Sequence, residues 1–396
     1  MGAMEQMAKS LDALKGRQKE YSEKIHRLQL IEGWWWDSTQ FQPRPDQPTQ
    51  PTTAAVPYQW KWSDLGPLVH EMADPGLGVG LGQGAKKAER RVLVYRNPGL
   101  GGQYAITNTF FGDVQIVKKG EIAPSHRHTT TAARFIFEGV GGWTTVEGER
   151  AMLSAGDLVI NQQLGWHDHG NEGPDDFVFF DVLDIPLLTS LGTATWDFDY
   201  AKFTGDKNKP AQALHWPLNH SNNLYQAGGI VPKFIGGLRS DHSPMLSYRW
   251  EVVRDTLNRL RKEKGSPYDG IIVEFVNPAT GGSVGPTMSI CAQLLRPGEK
   301  TLSHRQNINS VYIGVEGRGY TKVGDKRIDW NPHDVFCVPS WQWHEHGNDS
   351  REDAIVYSVT DAPVIEKLGL YCEQQESAEG KTNFIGWNAN KLTYKS

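Results

Sequence analysis

His126 and His128 stand one residue apart in the stretch Ala-Pro-Ser-His-Arg-His that begins at Ala123. Along an extended strand, side chains alternate between faces, so residues two apart point the same way and these imidazoles converge. Neutral imidazole is a good donor to divalent first-row metals. A third imidazole from a strand brought alongside would complete one face of a metal ion. His167, 41 residues after His126, is placed for that role. A lone His-X-His is common as surface or hydrogen-bonded histidine; what gives this one weight is that its surroundings recur.

"GEIAPSHRH" is matched by "GEKTLSHRQ" in the second half of the chain. "FIFEGVGGWTTVEGER" is matched by "YIGVEGRGYTKVGDKR", and "GDLVINQQLGWHDHGN" by "HDVFCVPSWQWHEHGN". His126 and His304 lie 178 residues apart, and His167 and His344 lie 177 apart. Order and spacing both agree, which is the mark of an internal duplication. The second copy is degenerate. His304 and His344 remain, but Gln306 stands where the middle histidine should be, and a neutral amide oxygen is a poor ligand for iron. That copy reads as scaffold and subunit contact.

Each copy lies within short β-rich segments bounded by glycine, proline or charge, such as "RVLVY", "DVQIV", "RFIFEG" and "DLVIN" from about Arg91, and "IIVEFV" and "SVYIGVEG" after Asp269. The signature is all-β with frequent turns. It lapses from about Leu188 to Gly270, where a helix is predicted over Tyr248–Lys264 with Trp250, Val253, Leu257 and Leu260 on one face and Gly265 at its end. The first ~30 residues carry Leu11, Leu14, Tyr21, Ile25 and Leu28 at helical spacing among charges. Trp34–Trp36 and a proline-broken arm up to Pro57 follow. The divisions predicted are a helix and arm over 1–90, a barrel over 91–190, a linker with a helix over 191–269, a second barrel over 270–365 and a tail over 366–396.

Of 396 residues, 38% are hydrophobic and 22% charged, a soluble globular balance. A net charge of −5 argues against a polyanion-binding surface, so nucleic acid is not an expected partner. No apolar run is long enough for a bilayer, and the N-terminus has no segment of signal-peptide type. Cys291, Cys337 and Cys372 stand far apart, which argues against a disulfide framework or a cysteine zinc site and points to the reducing cytoplasm.

The paired histidine motifs resemble those of cupin barrels. From Trp34 to about Pro363 the chain is similar to the bicupin gentisate 1,2-dioxygenases, through "NPGL", "APSHRH", "ARFIFEG", "HDHGNE", "DVLDIP", "EFVNPATGG", "PTMS", "LLRPGE" and "VPSWQWHEHGN". Single cupin motifs say little about function; the joint set is that of the salicylate-type ring-cleaving group. The resemblance implies two jelly-roll barrels with a helical arm and linker, an Fe(II) cofactor, a small aromatic hydroxy acid and O2 as substrates, and a homotetramer. Many cupins carry a glutamate ligand four or five residues after the second histidine. Here Ala132 and Ala133 occupy those places. Three neutral ligands leave the metal its full charge and open positions for a bidentate hydroxy acid and dioxygen. No nicotinamide or flavin fingerprint is evident.

Arg134, six residues after His128, has the same parity and would meet the substrate carboxylate with its planar fork. The resemblance supports that role and implies others. Arg90 would be a second arginine aimed into the site, and Lys86 stands where relatives often have another arginine. His169 would be a non-ligand histidine that takes the phenol proton or steadies the reacting oxygen, while Gln115 and Asp181 would line the pocket. Phe111 and Asp113 depart from the tryptophan and small residue usual before Gln115, and Gln162-Gln163 replaces a common Pro-Gly. These changes bear on the pocket wall, and Asp113 could accept a hydrogen bond from a 5-hydroxyl or 5-amino group. Gentisate, cleaved to maleylpyruvate, is the leading substrate, with salicylate, substituted salicylates and 1-hydroxy-2-naphthoate as alternatives. A non-catalytic acid-binding bicupin is the alternative from another class; a manganese bicupin acting on oxalate would want the missing glutamate.

Overall fold

The structure, a computed structural model, describes residues 2–30, 48, 50–74, 91–205, 211–234 and 241–386. The chain forms two units, Met1–Thr52 and Thr53–Ser396. The first holds the helix Gly2–Arg27, a single run with basic residues in its last turn and Leu14 and Tyr21 exposed. Basic side chains there complement the negative end of the helix dipole. Among the described residues no helix is long and apolar enough to cross a membrane.

The second unit holds four sheets in two matching pairs. In the first pair, a six-stranded sheet runs Ser247–Tyr248, Leu158–Asn161, Ala132–Glu138, Phe177–Leu183, Phe111–Val117, Arg91–Val94. Its companion runs Trp196–Asp197, Ile122–His128, His167–Asn171, Val140–Val146, Glu149–Ser154. The second pair repeats this order. One sheet runs Tyr58–Trp60, Val335–Val338, Ser310–Glu316, Ala354–Thr360, Ser289–Leu295, Ile271–Phe275. The other runs Lys326–Trp330, Gly319–Val323, His344–Gly347, His304–Gln306, Cys372–Glu376, Thr382–Gly386. The duplication read in the sequence is thus a duplication of barrels.

Strand Phe177–Leu183 is buried along its whole length, as a strand covered on both faces must be. Val178, Phe180 and Val182 join a core that also contains Tyr357 and Val359 of the second barrel, whereas Phe177 and Phe179 face the interior of their own barrel. Asp181 shares the parity of Phe179. The neighbouring strands divide the same way. Val114, Ile116, Ala133 and Phe135 lie in the inter-barrel core, while Val117 and Ile136 face inward with Phe179. Asp113, Gln115 and Arg134 fall on the inward parity. Phe135 meets Tyr357 with ring centroids 5.6 Å apart, and the Tyr357 hydroxyl donates to the Gly156 carbonyl at 3.0 Å. The large sheets therefore pack the barrels together, and on the inner face of the first the polar Asp113, Gln115, Arg134 and Asp181 share the wall with Phe177 and Phe179.

The glycine after each "His-X-His" late in the barrel has a packing reason. A Cβ on Gly170 would lie 2.3 Å from the Trp143 ring, and one on Gly347 would lie 2.3 Å from the Tyr320 ring.

Some boundaries differ from expectation. The predicted helix is shorter, Trp250–Leu260, with Val253 and Leu257 buried and Leu260 at the exposed limit. Tyr58–Trp60, expected within an arm, pairs with Val335–Val338 of the second barrel. Part of the expected tail forms Cys372–Glu376 and Thr382–Gly386, which extend that barrel's smaller sheet. Cys-Glu-Gln-Gln-Glu has no apolar alternation, so backbone pairing makes this a strand where side-chain pattern could not announce it.

Candidate metal centre

The histidines come from two antiparallel neighbours. His126 and His128 end the strand Ile122–His128, and His126 pairs in register with His167, the first residue of the strand His167–Asn171. All three are buried. Ring centroids lie 4.3 Å apart for His126–His167, 4.7 Å for His128–His167 and 5.7 Å for His126–His128.

Each of the three has its Nδ1 against a backbone carbonyl. His126 meets Pro124 O at 3.1 Å, His128 meets Thr130 O at 2.8 Å, and His167 meets Gly165 O at 2.9 Å. A carbonyl only accepts, so Nδ1 carries the hydrogen and Nε2 keeps its lone pair. This is the tautomer metal-bound histidines commonly adopt. Burial holds His167 well below the usual imidazole range, with His126 and His128 adding to the effect, so it is neutral and available as a donor.

His169 lies nearby on the same strand. Nitrogens of His126, His167 and His169 all fall within 4.8 Å of one another, a tighter cluster than any with His128 among the described residues. By ring position the order reverses, since His169 stands 6.0 Å from His126 and 5.5 Å from His167. The hydrogen bonds separate the two candidates. Arg134 Nη1 contacts His169 Nδ1, and the Thr144 hydroxyl lies 3.0 Å from the same atom. Guanidinium only donates. Nδ1 of His169 therefore accepts, which puts the hydrogen of the neutral ring on Nε2. His169 presents an N–H where the other three present a lone pair.

Arg134, expected to meet the substrate carboxylate with its fork, is buried with that fork engaged. Its Nε and Nη2 fork onto Asp181 at 2.8 and 2.6 Å, Nη1 also donates to Thr144 at 3.2 Å, and the guanidinium carbon stacks 3.8 Å from the Phe179 ring centroid. Parity with His128 is also not what brings it inward. A turn at 129–131 separates the strand Ile122–His128 from Ala132–Glu138, which lies in the other sheet. Arg134 arrives from the opposite wall. In register across three strands, Arg134 pairs with Asp181 and Asp181 with Asp113. The Gln115 amide nitrogen donates to Asp113 at 2.9 Å and Asp181 at 3.2 Å, while its Oε1 is buried without a hydrogen bond. Phe111 begins this strand half-buried. Lys86 and Arg90 lie outside the described residues. Ala132 and Ala133, at the place of the missing glutamate, are both buried.

Sequence reasoning missed three contributors. Thr144 sits between Arg134 and His169. Phe179 lies under the guanidinium. Phe198, directly after the strand Trp196–Asp197 that pairs beside His128, stacks on His126 with centroids 5.7 Å apart and an interplanar angle of 11°. In the second barrel His304 and His344 again meet, at 4.4 Å, and the Gln306 amide turns away to donate to the Tyr371 hydroxyl at 2.9 Å.

Residues 113–183 and 292–360 each match the cupin domain family. The chain is 35% identical to a 5-aminosalicylate 1,2-dioxygenase of a Comamonas species, over 85% of this chain and 86% of that protein. It is 32% identical to a gentisate 1,2-dioxygenase of Aquipseudomonas alcaligenes, over 83% and 89%. A 1-hydroxy-2-naphthoate 1,2-dioxygenase of a Nocardioides species is 33% identical over 83% and 81%. Among solved structures, the salicylate 1,2-dioxygenase of Pseudaminobacter salicylatoxidans superposes with a TM-score of 0.78 at 28% identity, covering 91% of this chain and 98% of that one. Its adduct with gentisate gives 0.76 at 28% identity, covering 93% and 94%.

Proposed function

Because the chain belongs to the family of gentisate and salicylate 1,2-dioxygenases, ring-cleaving enzymes of hydroxybenzoate-type acids, we propose that it cleaves gentisate to maleylpyruvate with Fe(II) held by His126, His128 and His167. The observation that carries this reading is the set of three buried imidazoles whose Nδ1 atoms are each tied to a backbone carbonyl. An all-nitrogen, neutral donor set on one side suits a ferrous ion with open positions. When bound, the metal supplies positive charge and a template for the acid and dioxygen.

The protein's own groups do the rest. In this reading His169 aims its Nε2–H at an oxygen of the reacting pair, so it acts as a hydrogen-bond donor. Taking the phenol proton on Nε2 would require the Arg134 contact to break. Arg134 is a positioning residue that fixes His169 and Asp181 together. Gln115 Oε1 offers a buried acceptor, and Asp113 lies one strand beyond Asp181 on the same face. Arg90 and Lys86, outside the described residues, enter this reading only as the substrate-binding cations the resemblance implies. A homo-oligomer, taken as a tetramer, and a cytoplasmic location belong to the same reading through the resemblance alone; the exposed Leu14 and Tyr21 of the first helix offer an apolar surface for subunit contact.

A second substrate is favoured by one observation. Asp113 is a buried carboxylate on the inner face where the resemblance expects a small residue, and a carboxylate accepts well from a 5-amino group. An oxygen electrode tests both readings. Ferrous-reconstituted protein is given gentisate, 5-aminosalicylate and salicylate in turn. Oxygen uptake matched one-to-one by ring-fission absorbance is expected with gentisate. Binding without oxygen uptake for every acid would make the protein a non-catalytic acid binder.

A further inference from the structure

The second barrel keeps the geometry of the first where a metal would be held and loses it where an acid would be organised. His304 and His344 have ring centroids 4.4 Å apart, against 4.3 Å for the corresponding His126 and His167. His344 and His346 stand 5.5 Å apart, as do His167 and His169. His344 Nδ1 meets the Gln342 carbonyl at 3.0 Å, which leaves Nε2 as its lone-pair atom.

His304 is supported by a carboxylate instead. Its Nδ1 lies 3.1 Å from Glu373 Oε1, and the other Glu373 oxygen accepts from the Tyr371 hydroxyl at 2.9 Å. A carboxylate behind a histidine fixes its tautomer and raises its basicity as a ligand. The His304 Nε2 that results is buried and has no hydrogen bond, in a residue 3% exposed. A buried lone pair without a donor is a place where an ion or a water can bind. Asp269 Oδ1 stands 4.0 Å from this nitrogen, while Oδ2 is held by the Ser266 hydroxyl at 2.8 Å. That carboxylate is partly exposed, with a side-chain exposure of 26%, at the mouth of the pair.

The catalytic-side row is gone. Where the first barrel aligns Asp113, Asp181 and Arg134, the second aligns Cys291, Ser358 and Tyr312 in the same register. No charge remains in that row to organise an acid.

We propose that the second barrel binds its own divalent transition-metal ion, on Nε2 of His304 and His344 with the Asp269 carboxylate as third donor, and that this ion is structural. Donors sharing one metal at about 2.0–2.2 Å lie roughly 3 Å apart, so the carboxylate must draw in to close the site. The site therefore closes on the ion. It takes the second equivalent, and the ion ties the Cys372–Glu376 strand to the barrel through Glu373 and His304.

The proposal does not depend on what the first barrel catalyses. Full-length protein stripped with chelator is titrated with Zn2+, and crystals grown with Zn2+ are measured at the zinc edge. Two equivalents are expected, the second weaker, with an anomalous peak between His304 and His344. His304→Ala and Asp269→Asn should each lose one equivalent, and ring cleavage by the iron-loaded variants should stay within twofold of wild type. A single equivalent in wild type, or density between the two histidines that has no anomalous signal and refines as water, overturns it. If His304→Ala does not fold, the wild-type anomalous map decides alone.

Discussion

Arg134 donates to Nδ1 of His169, and this contact fixes which ring atom of His169 faces the metal-binding side. His128, by contrast, gives its Nδ1 hydrogen to the Thr130 carbonyl. Two imidazoles that compete for one coordination position thus carry opposite tautomers. His169→Ala is expected to keep iron at wild-type stoichiometry and lose roughly 10²–10³-fold in turnover, the scale of one positioned donor or acid–base group. His128→Ala is expected to lose iron and activity together. Iron content alongside oxygen uptake checks both. The reverse pattern would make the tighter cluster of His126, His167 and His169 the ligand set.

The same guanidinium neutralises Asp181, and both side chains are almost fully buried. Removing one partner of such a pair leaves a buried charge and costs about 3–5 kcal/mol. Arg134→Ala is therefore expected to lower the unfolding midpoint markedly. Arg134→Lys keeps the charge but loses the planar fork that reaches Asp181 and Thr144 together. It should stay folded, hold iron, and lose turnover by about 10-fold or more with a smaller change in KM. A large KM increase at unchanged turnover would show instead that Arg134 binds the substrate carboxylate directly.

These two cases mark how far the sequence could be read. The histidine trio was legible because ligand spacing within a strand and its recurrence 178 residues later are both linear properties. The Arg134–Asp181–Asp113 row was not, since it depends on the register of three strands that are not consecutive in the chain. Arg134 was found, but through a parity that the turn at 129–131 interrupts. Phe198 carries no signal at all: it reaches His126 from the end of the two-residue strand Trp196–Asp197, and no periodicity points to it. The final strands carry no strand signal, because their residues are polar and their pairing is made by backbone.

Asp113 is the wall residue on which substrate choice should turn. A site built to hydrogen-bond a substituent rejects analogues that lack it, because its buried polar group is then unmatched. Asp113→Ala should raise kcat/KM for salicylate relative to gentisate or 5-aminosalicylate, by about 10-fold or more. Competition assays with paired substrates measure this ratio directly. An unchanged ratio would remove Asp113 from substrate recognition.

Asp184 gives the fold a dependence on pH that can be isolated. It is fully buried just after the strand Phe177–Leu183; Oδ1 accepts from the Thr131 backbone N–H at 3.0 Å, and the Thr287 hydroxyl lies close enough to favour the ionised form. Burial raises its pKa from 3.8 to about 6. A carboxyl raised in the folded state is one the fold prefers protonated. Its contribution is complete below the unfolded value and is lost as pH climbs through the folded one. Asp184→Asn retains the acceptor for Thr131 and abolishes the ionisation. Relative to this variant, wild type should lose on the order of 2 kcal/mol between pH 4 and pH 7. Asp168, also raised to about 6 by burial, titrates in both proteins and cancels in the difference. Urea unfolding of the pair at pH 4, 5, 6 and 7 reads the effect. A flat difference across that range would mean that Asp184 meets water or a cation in the folded protein.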